Sequence, residues 1–510
     1  MMENGKSDNI SKYTSENGGK VLLLFLLFLI ALYQLITMGI TGFAIVCMLP
    51  AVALYAIFAM RHKMITFWTL FVINYFVMFL NRYSYMPVPV SMPNEVLEII
   101  LLAIAIIDAK SLHLGRVANI MFFALVIWCG FCTIEVLNDT CDLGIDIASW
   151  FSGARLMAFQ LMYAYLVCII YISTPKRVTT FLRLWAALSL FAAFWAWKQQ
   201  HIGFTGIEKA WLVYGARTHI VNGITRYFSI FSDAANLGCN MAASAVAFFI
   251  VSVSHKSICG KERIFFFITG LACTWTMFAS GTRTAIFCFA FGVSIYVFLS
   301  KSFKIAIPVT IVFGFFMFIL VFTTIGQGNS MIRRMRSAFN KEDASLGTRE
   351  INQTAMKKYM QDAPWGIGIS RNLGNVPANN KYRKVSVTAP DSEYVFIWVH
   401  TGIIGITTFI VTTMMMFLGA CIIVFFKLKN KSLQGIGAAF CCAFAAIHLG
   451  GYGNQILMQF PNVLIFYGGL AVVYILPHIE NEYDGLEKDI ISKREERKRL
   501  IAEKQRASRD

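Results

Sequence analysis

The 510-residue sequence predicts an all-α polytopic membrane protein of about 12–14 transmembrane helices with one large external loop. Three observations predict it. Hydrophobic residues make up 57% of the chain and charged residues 14%, where soluble domains carry roughly a quarter charged. Mean hydropathy is +0.61. Apolar runs recur at the length of about 20 residues that a helix needs to cross ~30 Å of hydrocarbon. A soluble globular enzyme, a disordered scaffold and a small secreted disulfide protein are excluded.

Fourteen runs fit, at 20–38, 40–60, 64–81, 94–108, 118–136, 154–172, 178–198, 236–254, 263–280, 283–300, 304–325, 402–426, 433–451 and 457–477. The run 94–108 is short enough to be re-entrant. Tyr394 to Phe426 is too long for one crossing, so that span is expected to begin near Gly402. Val21–Ile36 follows a polar tail with no small-residue cleavage site, and reads as a retained span. The expected organisation is a disordered cytoplasmic tail (1–19), then eleven spans over 20–325 with an external loop at 199–235. A large basic external loop (326–390), the last spans (391–478) and a charged helical cytoplasmic tail (479–510) follow.

The net charge of +17 divides by side. Alternate short loops hold fourteen Lys/Arg, among them Arg61, Lys110, Lys176, Lys256 and Lys427, opposed by Asp108 and Glu262. The positive-inside rule makes that side cytoplasmic, together with both termini. The opposite short loops carry Arg82 and an acidic segment, Asn138–Asp146. Residues 326–390 hold eleven Lys/Arg against four carboxylates, a net of +7 on the outer side. That excess runs against the topology rule. A loop this long is usually functional. No nucleic-acid partner is expected from this distribution.

Several motifs are better read as packing. Cys129 and Cys132 lie in an apolar span, where a thiolate is disfavoured. The twelve Cys show no zinc-ligand spacing, and no metal or cofactor is expected. His400 and His448 read as hydrogen-bonded packing residues, and there is no P-loop.

Ionisable groups at span ends on the outer side carry the functional reading. Arg283 opens a span in Ser280-Gly281-Thr282-Arg283-Thr284, and Arg226 precedes Asp233, a candidate helix cap. Arg349 follows Gly347-Thr348 in the large loop. Arg binds phosphate oxygens bidentately. Arg333, Arg334 and Arg336 alternate with Met331, Ile332 and Met335, the pattern of an interfacial helix with its apolar side on lipid. Asp391 and Glu393 end the basic loop, where a general base would stand near a phosphorylated donor.

The run Arg226–Gly238, the turn at Gly281, Gly347-Thr348-Arg349, Pro364-Trp365-Gly366-Ile367-Gly368, Asp391-Ser392-Glu393-Tyr394 and Gly402-Ile403-Ile404-Gly405 stand in this order. Together they resemble the O-antigen ligase and O-antigen polymerase superfamily. The resemblance implies a GT-C-like membrane glycosyltransferase that works without a metal on the outer face of the bacterial inner membrane. Its donor would be an undecaprenyl-diphosphate-linked glycan. Arg226, Arg283 and Arg349 would hold diphosphate or glycan, with Asp391 or Glu393 as the catalytic carboxylate. Ligases usually carry His-Asn where this chain has Asp391-Ser392, and repeat-unit polymerases often carry Asp. The expected function is therefore polymerisation of lipid-linked repeat units into O-antigen, capsule or exopolysaccharide. The alternatives are a ligase acting on lipid A core or protein, and a flippase or secondary transporter. Membrane lipid and a chain-length regulator are the other candidate partners.

Overall fold

The computed structural model describes residues 18–84, 89–109, 114–221, 223–254, 260–339, 344–371 and 375–507. Lys110, Lys256 and most of the 1–19 tail lie outside them. The chain forms two compact units, one of Met1–Thr66 with Met86–Pro89 and one of Phe67–Tyr85 with Val90–Asp510. In the first, α1 (Gly18–Arg61) covers the first two expected spans and is interrupted at Gly39, where φ is 69°.

The remaining expected spans also coincide with helices. They are α2 (Lys63–Tyr83), α3 (Met92–Ile107), α4 (Ile120–Ile134), α5 (Ile147–Tyr171) and α6 (Pro175–His201). After the short α7 (Gly206–His219) come α8 (Ala234–Ser254), α9 (Gly260–Ala279), α10 (Arg283–Leu299) and α11 (Phe303–Phe322). Nine helices among the described residues are long and apolar enough to cross a membrane, and Arg283–Leu299 and Ala306–Phe322 are shorter apolar helices. The fold is that of an all-α polytopic membrane protein. A two-residue antiparallel ladder, Ile220–Val221 with Ile224–Thr225, is its β-structure among the described residues.

Residues 326–390 fold into α12 (Ser330–Arg336), α13 (Ala344–Met360) and α14 (Arg383–Val387). They have a core of their own, in which Met356, Met360, Ile367, Tyr382 and Val385 pack with Cys141 and Val399. The interfacial reading of α12 is corrected here. Its apolar side meets protein, with Met335 fully buried against Ile286 and Leu320. An amphipathic pattern is satisfied equally by lipid or by a protein surface, and neighbouring helices supply that surface.

The chain then enters α15 (Glu393–Ile422), α16 (Lys431–Gly453) and α17 (Gly468–Ala507). Helices α8 and α16 are the most deeply buried, together with the span that begins at Val463. Both α8 and α16 are rich in Ala, Gly and Ser, which lets helix backbones approach closely where no hydrophobic effect drives association. The charged tail continues unbroken from the last span as α17. Its first turns are docked, since Glu480 accepts the Lys429 amide at 2.7 Å and Glu487 accepts Ser432 Oγ at 2.8 Å.

Helix α15 starts at Glu393 and breaks at Gly402, where φ is 66°. Here it meets Gly366, where φ is 81°. A Cβ on Gly402 would stand 2.0 Å from the Pro364 carbonyl oxygen and 2.4 Å from the Gly366 nitrogen. Both positive φ and backbone proximity therefore require glycine. Gly402→Ala is expected to destabilise by more than about 2 kcal/mol, enough to lose most folded protein in detergent size-exclusion profiles.

Candidate active site

Arg226 is placed by a well-anchored loop. Its amide donates to the His219 carbonyl at 2.8 Å beside the two-residue ladder. Beyond it, Ser229 sits at φ 51°. The Ser229 amide donates to Gln199 Oε1 at 2.8 Å, and its hydroxyl to the Ala192 carbonyl at 2.6 Å. Arg82 closes the loop from α2, donating to the carbonyls of Ser229 (3.0 Å) and Phe231 while stacking on Phe228 and Trp211. The loop ends at Asp233, whose Oδ1 accepts the amides of Ala235 and Asn236 at 2.7 and 2.9 Å. The expected cap is thus in place.

The turn between α9 and α10 packs on that helix start. A Cβ on Gly238 would lie 2.3 Å from Ser280 Oγ, so only glycine lets the turn so close. Thr282 Oγ1 donates to the Ala234 carbonyl at 2.8 Å and accepts Arg226 Nη2 at 2.9 Å. Gly281 has φ 59°, and a Cβ there would touch Arg334 on one side and Arg226 on the other. Arg334 Nε donates to the Gly281 carbonyl at 2.8 Å. Arg283 is the next residue but one.

Three guanidinium groups therefore surround one turn. Burial pushes the Arg226 guanidinium down from its ordinary value, with Asp233 opposing the shift and Arg283 adding to it. Burial, then the charges of Arg226 and Arg283, push Arg334 down to about 10. Guanidinium groups stay cationic at neutral pH. Their repulsion in a half-buried setting favours any anion that sits among them. Arg334, which the sequence pattern assigned to lipid head groups, belongs to this cluster.

Asp391 lies half-buried and accepts Asn352 Nδ2 at 3.4 Å. Asn352 is on α13 one turn from Arg349, so the two positions share a helix face. The Arg349 side chain lies outside the described residues. The next residue, Ser392, donates to the Gly451 carbonyl at 3.2 Å. A Cβ on Gly453 would stand 2.6 Å from Thr284 Oγ1, so the end of α16 bridges the Asp391 segment and the arginine turn.

Glu393 is placed differently. It is 3% exposed, and its Oε2 accepts the Leu457 amide at 2.9 Å. With Asn236 and Asn240, which bond Asn462 at 2.7 Å each, it fastens the 454–462 loop. Two further buried carboxylates, Glu95 and Glu98, lie in α3 and are not among the sequence-derived candidates. Glu95 pairs with Arg155 at 3.1 Å. Glu98 Oε2 has no partner among the described residues. Two carboxylates inside an apolar run were a signal for them.

Residues 264–410 match a family model described as O-antigen ligase. The match supports an O-antigen ligase/polymerase-like superfamily. A search of curated proteins finds no match. The matched segment contains Arg283, Arg334, Arg349, Asp391 and Glu393 and leaves Arg226 outside. It supports a glycan-transferring membrane enzyme of the ligase/polymerase type.

Glu393→Leu strands the buried Leu457 amide, at a cost of about 1–3 kcal/mol. Glu393→Gln keeps an acceptor oxygen there, so its loss is expected to be smaller. Thermal unfolding of the two purified variants in detergent checks the order.

Proposed function

We propose that the protein polymerises polyprenyl-diphosphate-linked oligosaccharide repeat units into a surface polysaccharide. The observation that carries the reading is the convergence of Arg226, Arg283 and Arg334 on the Gly281 turn, within or beside the O-antigen ligase segment. A half-buried cluster of three cations suits the one dianionic group that such a substrate carries. By the charge asymmetry of the loops, this end of the bundle is the outer one.

In the proposed reaction an acceptor hydroxyl on one lipid-linked repeat unit attacks the anomeric carbon of a second glycan. The bond from that carbon to the diphosphate oxygen breaks as the new glycosidic bond forms. Asp391 takes the hydroxyl proton, and the lipid diphosphate leaves with the electron pair. Negative charge grows on the leaving oxygen, so fixed guanidinium groups stabilise the transition state more than the ground state. Arg349 would hold diphosphate or glycan from α13. Glu393, already engaged with Leu457, acts as a positioning residue for the 454–462 loop.

Asp391-Ser392 stands where ligases usually carry His-Asn, and this favours polymerase over ligase. The ligase reading draws on the description of the matching family. The two differ in what a deletion strain leaves behind: single repeats for a polymerase, full-length chains missing from their acceptor for a ligase.

The purified protein is expected to elongate lipid-linked repeats into a ladder on a glycan gel, with no ion gradient. Arg283→Ala and Arg226→Ala should each lower kcat by about 100-fold or more, the scale of one lost oxyanion-type donor. Arg334→Ala should lower it at least about tenfold, and Asp391→Asn at least about 100-fold. Long chains from Arg283→Ala at normal protein level would refute the diphosphate role.

A further inference from the structure

Two sequence features stay outside the reaction above: the acidic segment Asn138–Asp146 and the Pro364-Trp365-Gly366-Ile367-Gly368 motif. In the fold they meet. Asn138 Nδ2 donates to the Trp365 carbonyl at 2.8 Å, Cys141 Sγ to the Ile367 carbonyl at 3.3 Å, and Arg371 Nη2 to the Gly144 carbonyl at 2.6 Å. Between them lies a recess of about 310 Å³, bordered by Glu135, Asn138, Asp139, Thr140 and Trp365. That is the lower end of ligand-pocket volumes.

We infer that this recess is a sugar-binding subsite for the acceptor glycan, an inference that rests on the transferase reading above. Its walls have the two kinds of surface that a pyranose needs. Trp365 stacks on Phe131 with ring centroids 5.9 Å apart and planes 5° from parallel, yet remains 43% exposed. A rigid, half-exposed indole offers a flat apolar surface to the C–H face of a sugar. Glu135 is 3% exposed, and its Oε2 accepts Asn138 Nδ2 at 2.8 Å. Its Oε1 has no partner among the described residues. A buried carboxylate oxygen with no donor is costly. Glu135 lines the recess, and a sugar hydroxyl brought there offers its carboxylate a donor that the described residues do not. Asn138 is held at both ends, since its Oδ1 accepts the Thr140 amide and hydroxyl at 3.0 and 2.7 Å. The polar wall is therefore rigid before a ligand arrives.

The recess is tied to the reacting end of the molecule. The amides of Ile367 and Gly368 donate to the carbonyls of Val399 and His400 at 2.9 and 3.0 Å, on the first turns of α15. Asp391 immediately precedes that helix. The rise of that helix puts Asp391 roughly 12–14 Å along the axis from the carbonyls that hold the Trp365 segment. A sugar in the recess is thus a different unit from the one whose hydroxyl reacts, and the subsite reads more than the terminal residue of the acceptor.

The test uses full-length protein in lipid nanodiscs. The probe is the soluble repeat-unit oligosaccharide cleaved from the cell's own surface polysaccharide, with no lipid or diphosphate. Binding is followed by saturation-transfer NMR and calorimetry, and acceptor KM by elongation assay. Glu135→Gln and Trp365→Ala should each weaken oligosaccharide binding and raise acceptor KM about tenfold or more, with kcat changed far less. Arg283→Ala should do the reverse, abolishing elongation while still binding the oligosaccharide. If Trp365→Ala unfolds, the near-isosteric Glu135→Gln decides. Wild-type binding and KM in Glu135→Gln overturn the subsite, as does a recess that seats only lipid head groups and leaves the oligosaccharide signal unmoved. If Arg283→Ala elongates normally, it is the transferase reading that falls.

Discussion

The contact between the Gly366 and Gly402 backbones is the constraint on which the rest of this end of the protein depends. It joins a folded segment, residues 326–390, to the point where α15 breaks. Two chains can approach to this distance only where neither carries a Cβ and both adopt positive φ. The consequence is mechanical. The amides of Ile367 and Gly368 pair with the last carbonyls before the break, so the extramembrane segment is bonded to the helix through its backbone. Asp391, Trp365 and the α13 helix that carries position 349 are then fixed in one frame. On the proposed reading, such a frame is what catalysis by positioning requires.

The second layer of order is polar and buried. Asn236, Asn240 and Asn462 form a linked set, with Glu393, Ser232 and Gln459 at its edges. In a low-dielectric interior each such bond is strong and each unmade one is expensive. The 454–462 loop is therefore specified by satisfaction of its amides rather than by regular structure. The same logic separates the two carboxylates at the start of α15. Glu393 is enclosed and already accepts a backbone donor. Asp391 is half-buried and, among the described residues, accepts a long bond from Asn352. Of the two, Asp391 is the more exposed.

Much of the fold was legible because hydrocarbon imposes a length on every crossing. Nine described helices are long and apolar enough to cross a membrane, and the expected start near Gly402 falls on a break in a longer helix. Asp233 was legible as a cap because capping is local. Arg226 and Arg283 stood out as charges at span ends beside Gly, Ser and Thr. Arg334 did not, because Met331 and Met335 gave it an amphipathic setting that lipid or protein satisfies equally. The role of Glu393 depends on a loop some sixty residues away in sequence, and the Trp365 recess on a partner more than two hundred residues away. Pairings at such separation leave no mark on local pattern.

The charge of residues 326–390 shows why location outweighs a total. On the expected topology a net of +7 falls on the side where cations are disfavoured, which pointed to an anionic substrate. In the fold most of the arginines there are already occupied with carbonyls. Arg333 donates to Gln327, Arg336 to Leu320 and Arg371 to Gly144, while Lys381 pairs with Asp362 at 2.6 Å. Helix ends and irregular segments leave many carbonyls without backbone donors, and a long cation reaches them where a neutral side chain falls short. Part of the excess thus ties the segment to itself and to the helix end and loop beside it. Arg334 differs in where it is bonded, since its carbonyl partner is Gly281, on the turn that also gathers Arg226 and Arg283. Three cations held by three different elements around one glycine turn are more specific evidence of an anion than eleven spread along a loop.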